Sequence, residues 1–278
     1  MKLLANAKLN LTLDIKGKRE DGYHLIDSVF QSVSLYDEIN IEKADTLSVA
    51  FSDKTIPEKE SVAYKCAAAF FELCGIKSGA KIDIKNNIPT CSGMGGGSSD
   101  AAAIITGLNC LFGAGLSVEE LIKLATPYGA DIPFCLVGGT ARVSGVGEKI
   151  EALDFAGEHP VMIIKDGVKA STAEMYRALD KVPLKAAKTE SLINAVEKGD
   201  KKGFFGGISN AFLEVSDIKN EKTALENSGA LAVGLSGSGP SVFGIYENKK
   251  ARDMAFDKLF ENHNCYKAEF SKNGITIE

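Results

Sequence analysis

From residue 3 to residue 15 the odd positions read Leu, Ala, Ala, Leu, Leu, Leu, Ile, while the even positions include Asn6, Lys8, Asn10, Thr12 and Asp14. Alternation with a period of two predicts a strand. It sets Lys8 and Asn10 side by side on the polar face. The turn-like KREDGYH (residues 18–24) follows, then strand-like runs in VFQSVSLY and EINIEKADTLSVAF. Residues 53–60 are polar and loop-like, after which SVAYKCAAAFFELCG reads as a helix closed by Gly75. KIDIKNNI alternates again and leads into PTCSGMGGGSSDAAA, residues 89–103. Beyond it, Ala101, Ile104, Ile105, Leu108, Leu111 and Phe112 recur at helical spacing, and Ser117 with Glu120 forms a capping box for a second helix ending near Pro127. GADIPF (129–134) reads as a tight connection and GGTARVSGVGEKI as a hairpin.

Turn formers cluster over residues 154–160 ahead of the apolar strand VMIIK. Two domains are therefore expected, 1–156 and 157–278. The second half alternates expected helices, at about 172–180, 190–198 and 219–227, with the strands LAVGLSG, SVFGIYE and a terminal KAEFSKNGITIE. The fold class is α+β, with no repeat of 20–50 residues.

Composition narrows the function classes. With 278 residues, 45% hydrophobic and 25% charged, the chain has ample material for a core. A net charge of −5 supplies no global field for nucleic acid or an anionic membrane, so an anionic ligand must be held by local groups. Asn6, Lys8 and Asn10 interrupt the apolar N-terminus, so neither a signal peptide nor a span is expected. Six cysteines without a CxxC pair and three histidines without metal-site spacing suggest reduced thiols in a cytoplasmic protein. Monomer and homodimer are equally compatible with the chain.

The candidate chemistry starts at the glycine loop. A strand, a glycine-rich loop and a helix together make an anion site, because the backbone can approach closely and the first-turn N–H groups lack intrahelical partners. GMGGGS has Ser98 where GxGxxG wants glycine, and no GK[ST] follows, so neither common nucleotide fingerprint applies. GLSGS (234–238) ends in serine and is no hydrolase elbow. The plain alternative is a flexible turn capped by Ser98 or Ser99. Four other features have plain readings when taken singly. Lys8 is a solvated strand residue, Asp131 in GADIPF a turn residue, Tyr23 and His24 in DGYH a packed turn, and GLSGSGPSVF a hairpin connection.

Together, in this order, AKLNLTLDI, PTCSGMGGGSSDAAA and GLSGSGPSVF resemble the GHMP kinase superfamily. AKLNLTLDIKGKREDGYH, the GGGSS form of the loop, and GADIPF followed by GGTARVSGVGE are similar to its isoprenoid-precursor branch, which phosphorylates the 2-hydroxyl of a cytidine diphosphate-linked methylerythritol. The likeness runs over nearly the whole chain and is weaker over residues 160–227. One departure is Cys91-Ser92, where the family generally has glycine or alanine.

The resemblance implies an N-terminal domain like domain 2 of ribosomal protein S5, a C-terminal α/β sandwich, and ATP with Mg²⁺. It implies that Pro89, Thr90, Cys91, Ser92, Gly93, Met94, Gly95, Gly96, Gly97, Ser98 and Ser99 wrap the ATP phosphates. Asp131 would take the acceptor proton and Lys8 would offset charge on the transferring group, while Asn10 positions the acceptor. Tyr23 would stack on the cytosine, His24 would hydrogen-bond its edge, and Tyr176 is a candidate second ring. Metal ligands are not specified, with Ser98, Ser99 and Asp100 as possible contributors. A homoserine- or mevalonate-type kinase, or a non-catalytic regulator of the same fold, stands as the alternative.

Overall fold

The computed structural model describes residues 1–168 and 171–278. The alternating N-terminal segment forms β1 (Lys2–Lys18), which runs antiparallel to β2 (His24–Ala44). The runs anticipated from residue 29 to residue 51 are thus one long strand followed by the short β3 (Ser48–Phe51). A helix, α1 (Val62–Cys74), separates β3 from β4 (Gly79–Lys85), and the glycine loop then leads into α2 (Gly96–Phe112). Next come α3 (Val118–Ala125), with the expected capping box, α4 (Ile132–Val137), β5 (Thr140–Gly145) and β6 (Lys149–Ala152). GADIPF is therefore a helix start, not merely a tight connection. The chain continues through β7 (Pro160–Ile164), α5 (Thr172–Leu179), α6 (Thr189–Glu197), α7 (Lys201–Gly207), α8 (Lys219–Asn227), β8 (Ala232–Leu235), β9 (Val242–Ile245) and α9 (Lys249–Leu259). The tail divides into β10 (Cys265–Glu269) and β11 (Ile275–Ile277).

These strands make two sheets. The first has the order β11-β1-β2-β4-β3, with β5 also paired to β2 and β6 paired to β5. The second has the order β10-β7-β9-β8 and is antiparallel throughout. The terminal KAEFSKNGITIE is therefore not one strand, since its first part completes the second sheet and Ile275–Ile277 pair with β1 in the first. No helix among the described residues is long and apolar enough to cross a membrane.

The first sheet is covered on both faces, and this changes the meaning of the polar positions in β1. One core packs Leu3, Ala5, Leu13 and Phe30 against Ile104 and Leu108 of α2. The other packs Ala7, Leu9, Leu11 and Val33 against Ile163 and Phe243 of the second sheet and Leu192 of α6. Successive odd residues of one strand thus serve different cores. The cause is a pair of register shifts between β1 and β2, at Asn6/Lys8 and at Asn10/Thr12. Each shift turns the strand over locally. Between them, Lys8 and Asn10 come round to the side of Phe30 and α2, where simple alternation would have put apolar residues. Each large aliphatic side chain buried here contributes about 1.5–3 kcal/mol, enough to hold two polar residues in an otherwise apolar layer.

Candidate active site

Lys8 is 3% exposed, so its ammonium group must have partners. Its Nζ donates to Asn10 Oδ1 at 2.8 Å, lies 3.4 Å from Asp131 Oδ2, and sits 4.5 Å above the centroid of the Phe30 ring. Asp131 occupies the N-cap position of α4, yet its side chain makes no capping hydrogen bond. The carboxylate faces the cavity and Lys8 instead. Asn10 bonds at both ends of its amide: its Oδ1 also accepts the Gly237 N–H at 2.7 Å and its Nδ2 donates to Ser28 Oγ at 3.1 Å.

The glycine loop closes over this pair. The Lys8 N–H donates to Met94 O at 2.9 Å, joining loop to strand. Gly95 has a φ of +76°, and a Cβ built there would meet the Lys8 side chain at 3.1 Å and Asp131 Oδ2 at 3.9 Å. Glycine is needed at this position for both its left-handed backbone and its close approach. It also serves as the N-cap of α2, which corrects the expectation that Ser98 or Ser99 caps the helix. The Ser99 hydroxyl is buried and donates to Asn6 O at 2.7 Å, holding α2 to β1 and not facing the cavity. Gly93, with a φ of +80°, packs on the backbone of Ser236 and Gly239, and Ser236 Oγ donates to Gly93 O at 3.0 Å. The two glycine and serine loops, separate in sequence, are one bilayer of backbone. Asn210 supports the second loop by donating to Leu235 O and Gly237 O, both at 2.8 Å.

A cavity of about 1020 Å³ runs along these loops. Its lining includes Lys8, Asn10 and Asp131, Pro89 to Gly93, Gly95 to Ser98, and, at the other end, Tyr23, His24, Tyr176 and Asp180. Of the anticipated residues, Met94 and Ser99 do not line it. Tyr23 is 66% exposed at the rim. The His24 ring stacks on Tyr176, with centroids 4.5 Å apart and planes 16° from parallel, and Tyr176 meets Phe212 edge-on at 4.9 Å. Burial, with the Asp131 charge adding, pushes the Tyr176 hydroxyl up to about 12.

Sequence reasoning named Asp100 but missed its pairing with Asp37. Asp37 accepts the N–H groups of Asn87 and Ile88 at 2.6 and 2.7 Å, just before the glycine loop. The Asp100 carboxyl on α2 meets it, with one oxygen, Oδ1, buried without a partner. Burial and then the Asp37 charge push the Asp100 carboxyl well above the usual carboxylate range. The only sequence signal was Asp100 itself, past the first turn of α2 and just ahead of its run of alanines.

A fold of this kind, with a glycine loop and a helix N-terminus above a buried lysine and a facing carboxylate, suits an ATP-dependent small-molecule kinase. The family models bear this out: the GHMP kinases N terminal domain matches residues 61–139 and the GHMP kinases C terminal domain matches residues 192–265. The 4-diphosphocytidyl-2-C-methyl-D-erythritol kinase of Caldicellulosiruptor saccharolyticus is 44% identical over 268 residues, covering 93% of this chain and 92% of its own. That of Clostridium kluyveri is 38% identical over 270 residues, covering 93% and 95%. A crystal structure of 4-(cytidine 5'-diphospho)-2C-methyl-D-erythritol kinase superposes with a TM-score of 0.80 at 30% identity, covering 98% of this chain and 99% of that one. The chain belongs to the GHMP kinases and, within them, to the 4-diphosphocytidyl-2-C-methyl-D-erythritol kinases. A homoserine kinase from Cytophaga hutchinsonii also superposes with a TM-score of 0.80, but at 19% identity, a likeness of fold alone.

Proposed function

We propose that this chain transfers the γ-phosphoryl group of ATP to the 2-hydroxyl of 4-diphosphocytidyl-2-C-methyl-D-erythritol, a step in isoprenoid-precursor synthesis. The observation that carries the reading is the Lys8–Asp131 pair beneath Gly95. A pure binding protein has no use for a carboxylate and an ammonium group facing each other under a phosphate-binding loop. In this reading the phosphates lie against the N-terminus of α2, which presents free N–H groups and roughly half a positive charge.

The acceptor hydroxyl oxygen forms a bond to Pγ as the bond between Pγ and the β-phosphate bridging oxygen breaks, and the hydroxyl proton passes to Asp131. ADP departs with the electron pair of the broken bond. Catalysis of this kind is mostly positioning and charge stabilisation. Lys8 holds Asp131 in place and offsets charge on the moving group. Asn10 holds Lys8 and the Gly237 loop and, as part of the cavity wall, helps to position the acceptor. Tyr23, exposed and unstacked at the rim, takes the cytosine face, and His24 reads its edge. Tyr176, which lines the same end of the cavity and stacks on His24, is the candidate second ring for the base.

A Mg²⁺ ion would be brought in by the phosphates and held largely by their oxygens and by water. Ser98 at the cavity is the loop hydroxyl placed to help, since Ser99 bonds Asn6 and Asp100 faces Asp37. When bound, such a metal ion would neutralise charge on the phosphates, with Ser98 helping to hold it.

The test is ADP release from Mg-ATP with the cytidine-linked substrate, homoserine and mevalonate in parallel. Turnover confined to the cytidine-linked substrate is expected. Turnover with another acceptor would keep the mechanism and discard the cytosine assignment, and ATP binding without turnover on any acceptor would contradict the reading.

A further inference from the structure

His24 Nε2 lies 2.6 Å from Asp180 Oδ1 at the C-terminal end of α5, and Lys18 Nζ holds the other oxygen, Oδ2, at 2.7 Å. The imidazole is thereby constrained twice. Tyr176 fixes its plane by stacking, and Asp180 fixes its rotation within that plane. The His24 side chain is only 8% exposed, so solvent has little part in its hydrogen bonding.

We propose that Asp180 is a specificity-determining positioning residue, which holds His24 in the Nε2–H tautomer and so makes Nδ1 an acceptor for the exocyclic amine of cytosine. The chemistry follows from the donor and acceptor inventory. An ionised carboxylate only accepts hydrogen bonds, so the nitrogen that faces it carries the hydrogen, and in the neutral ring the other nitrogen is bare. The corresponding edge of cytosine presents an N–H₂ donor. Uracil presents a carbonyl oxygen there, which would meet the bare Nδ1 as lone pair against lone pair. Asp180 lines the cavity beside His24. It acts through His24, from a different strand-and-helix unit, and so couples the seating of α5 against the end of β1 to base choice.

The inference rests on the proposed reaction, and the two can fail separately. Two measurements on the full chain test it. The first is ¹⁵N NMR of the histidine rings, assigned with His24→Gln. Nε2 protonated and Nδ1 bare is expected. Hydrogen on Nδ1, alone or with Nε2, would overturn the assignment whatever the enzyme's activity. The second compares kcat and KM for the cytidine-linked substrate and its uridine-linked analogue in the wild type, Asp180→Ala and Lys18→Met. Asp180→Ala is expected to raise KM for the cytidine substrate on the order of tenfold and to lower discrimination against uridine by a similar factor, with kcat within about threefold. Lys18→Met, which breaks the link between α5 and β1 but leaves the His24–Asp180 bond, is expected to keep discrimination. Equal loss in both variants would mean that Asp180 merely anchors α5 and would overturn the proposal. A wild type that turns over neither substrate would instead contradict the parent reading.

Discussion

Lys8 and Asp131 stand 3.4 Å apart, nitrogen to oxygen, with Gly95 packed against both side chains. One residue is almost completely buried and the other keeps about a third of its side chain open. The pair therefore has one anchored member and one accessible member, as a proton acceptor beside a fixed cation requires.

Replacing Lys8 by Met keeps the volume over Phe30 and removes the charge. In the proposed reaction the ammonium acts on charge developing in transfer, so kcat is expected to fall on the order of a hundredfold or more, with nucleotide affinity changing less than tenfold. Steady-state kinetics with a separate nucleotide titration check this. A purely affinity-based loss would show that Lys8 binds ATP without assisting the chemistry.

Asn10→Ala removes the acceptor shared by Lys8 and the Gly237 N–H. Leaving these buried donors unpaired is expected to lower stability by about 1–3 kcal/mol and to reduce kcat as Lys8 loses its place. Denaturant unfolding and kcat, measured on the same preparation, should move together.

How much of this was legible in the sequence depends on what kind of signal each feature leaves. The strand over residues 3–15, the helix closed by Gly75 and the Ser117 capping box rest on local periodicity and caps, and each formed where expected. The face on which Lys8 lies did not follow from alternation, because two register shifts set by pairing with β2 reverse it. Gly95 displaced Ser98 and Ser99 as the cap because the loop needs a left-handed residue in contact with Lys8, a tertiary demand invisible to cap preference. α7 and α9 escaped notice, the first for its three glycines and the second because it buries only a narrow stripe that includes Ala255 and Leu259. The stacking of the Gly93 loop on Ser236, and the reach of Asp180 to His24, join residues more than 140 positions apart. Resemblance could bring those segments to one site, but not their contacts.

Cys91 has a φ of +52°, the sole positive value at a non-glycine position among the described residues. The left-handed region costs such a residue roughly 1–2 kcal/mol, while glycine in its place would lose about 0.5–1 kcal/mol through the freedom it adds to the unfolded chain. Cys91→Gly is therefore expected to be neutral to slightly stabilising, by up to about 1 kcal/mol, and to keep ATP affinity. Thermal unfolding checks the first part, and a clear loss of stability would show that the thiol makes up for its backbone.

The Asp37–Asp100 pair gives a dependence on pH. Burial raises Asp37, and burial with the Asp37 charge raises Asp100. For an acid whose folded-state value is raised, the folded chain binds more protons than the unfolded one, so this contribution is fully present below the unfolded value and is lost as pH rises through the folded one. Asp100→Asn removes the titration while keeping the shape. The variant is expected to gain stability relative to the wild type as pH rises from about 4 towards neutrality. A difference in stability that stays constant over that range would show that Asp100 does not carry the raised value.

The most direct measurement is the rate of phosphoryl transfer by Asp131→Asn, with ATP and acceptor binding measured on the same protein. Loss of the proton acceptor is expected to lower kcat about a hundred- to ten-thousand-fold, with both ligands still bound at near wild-type affinity. A loss under tenfold, with binding intact, would contradict the role given to Asp131 and the account built on its pairing with Lys8.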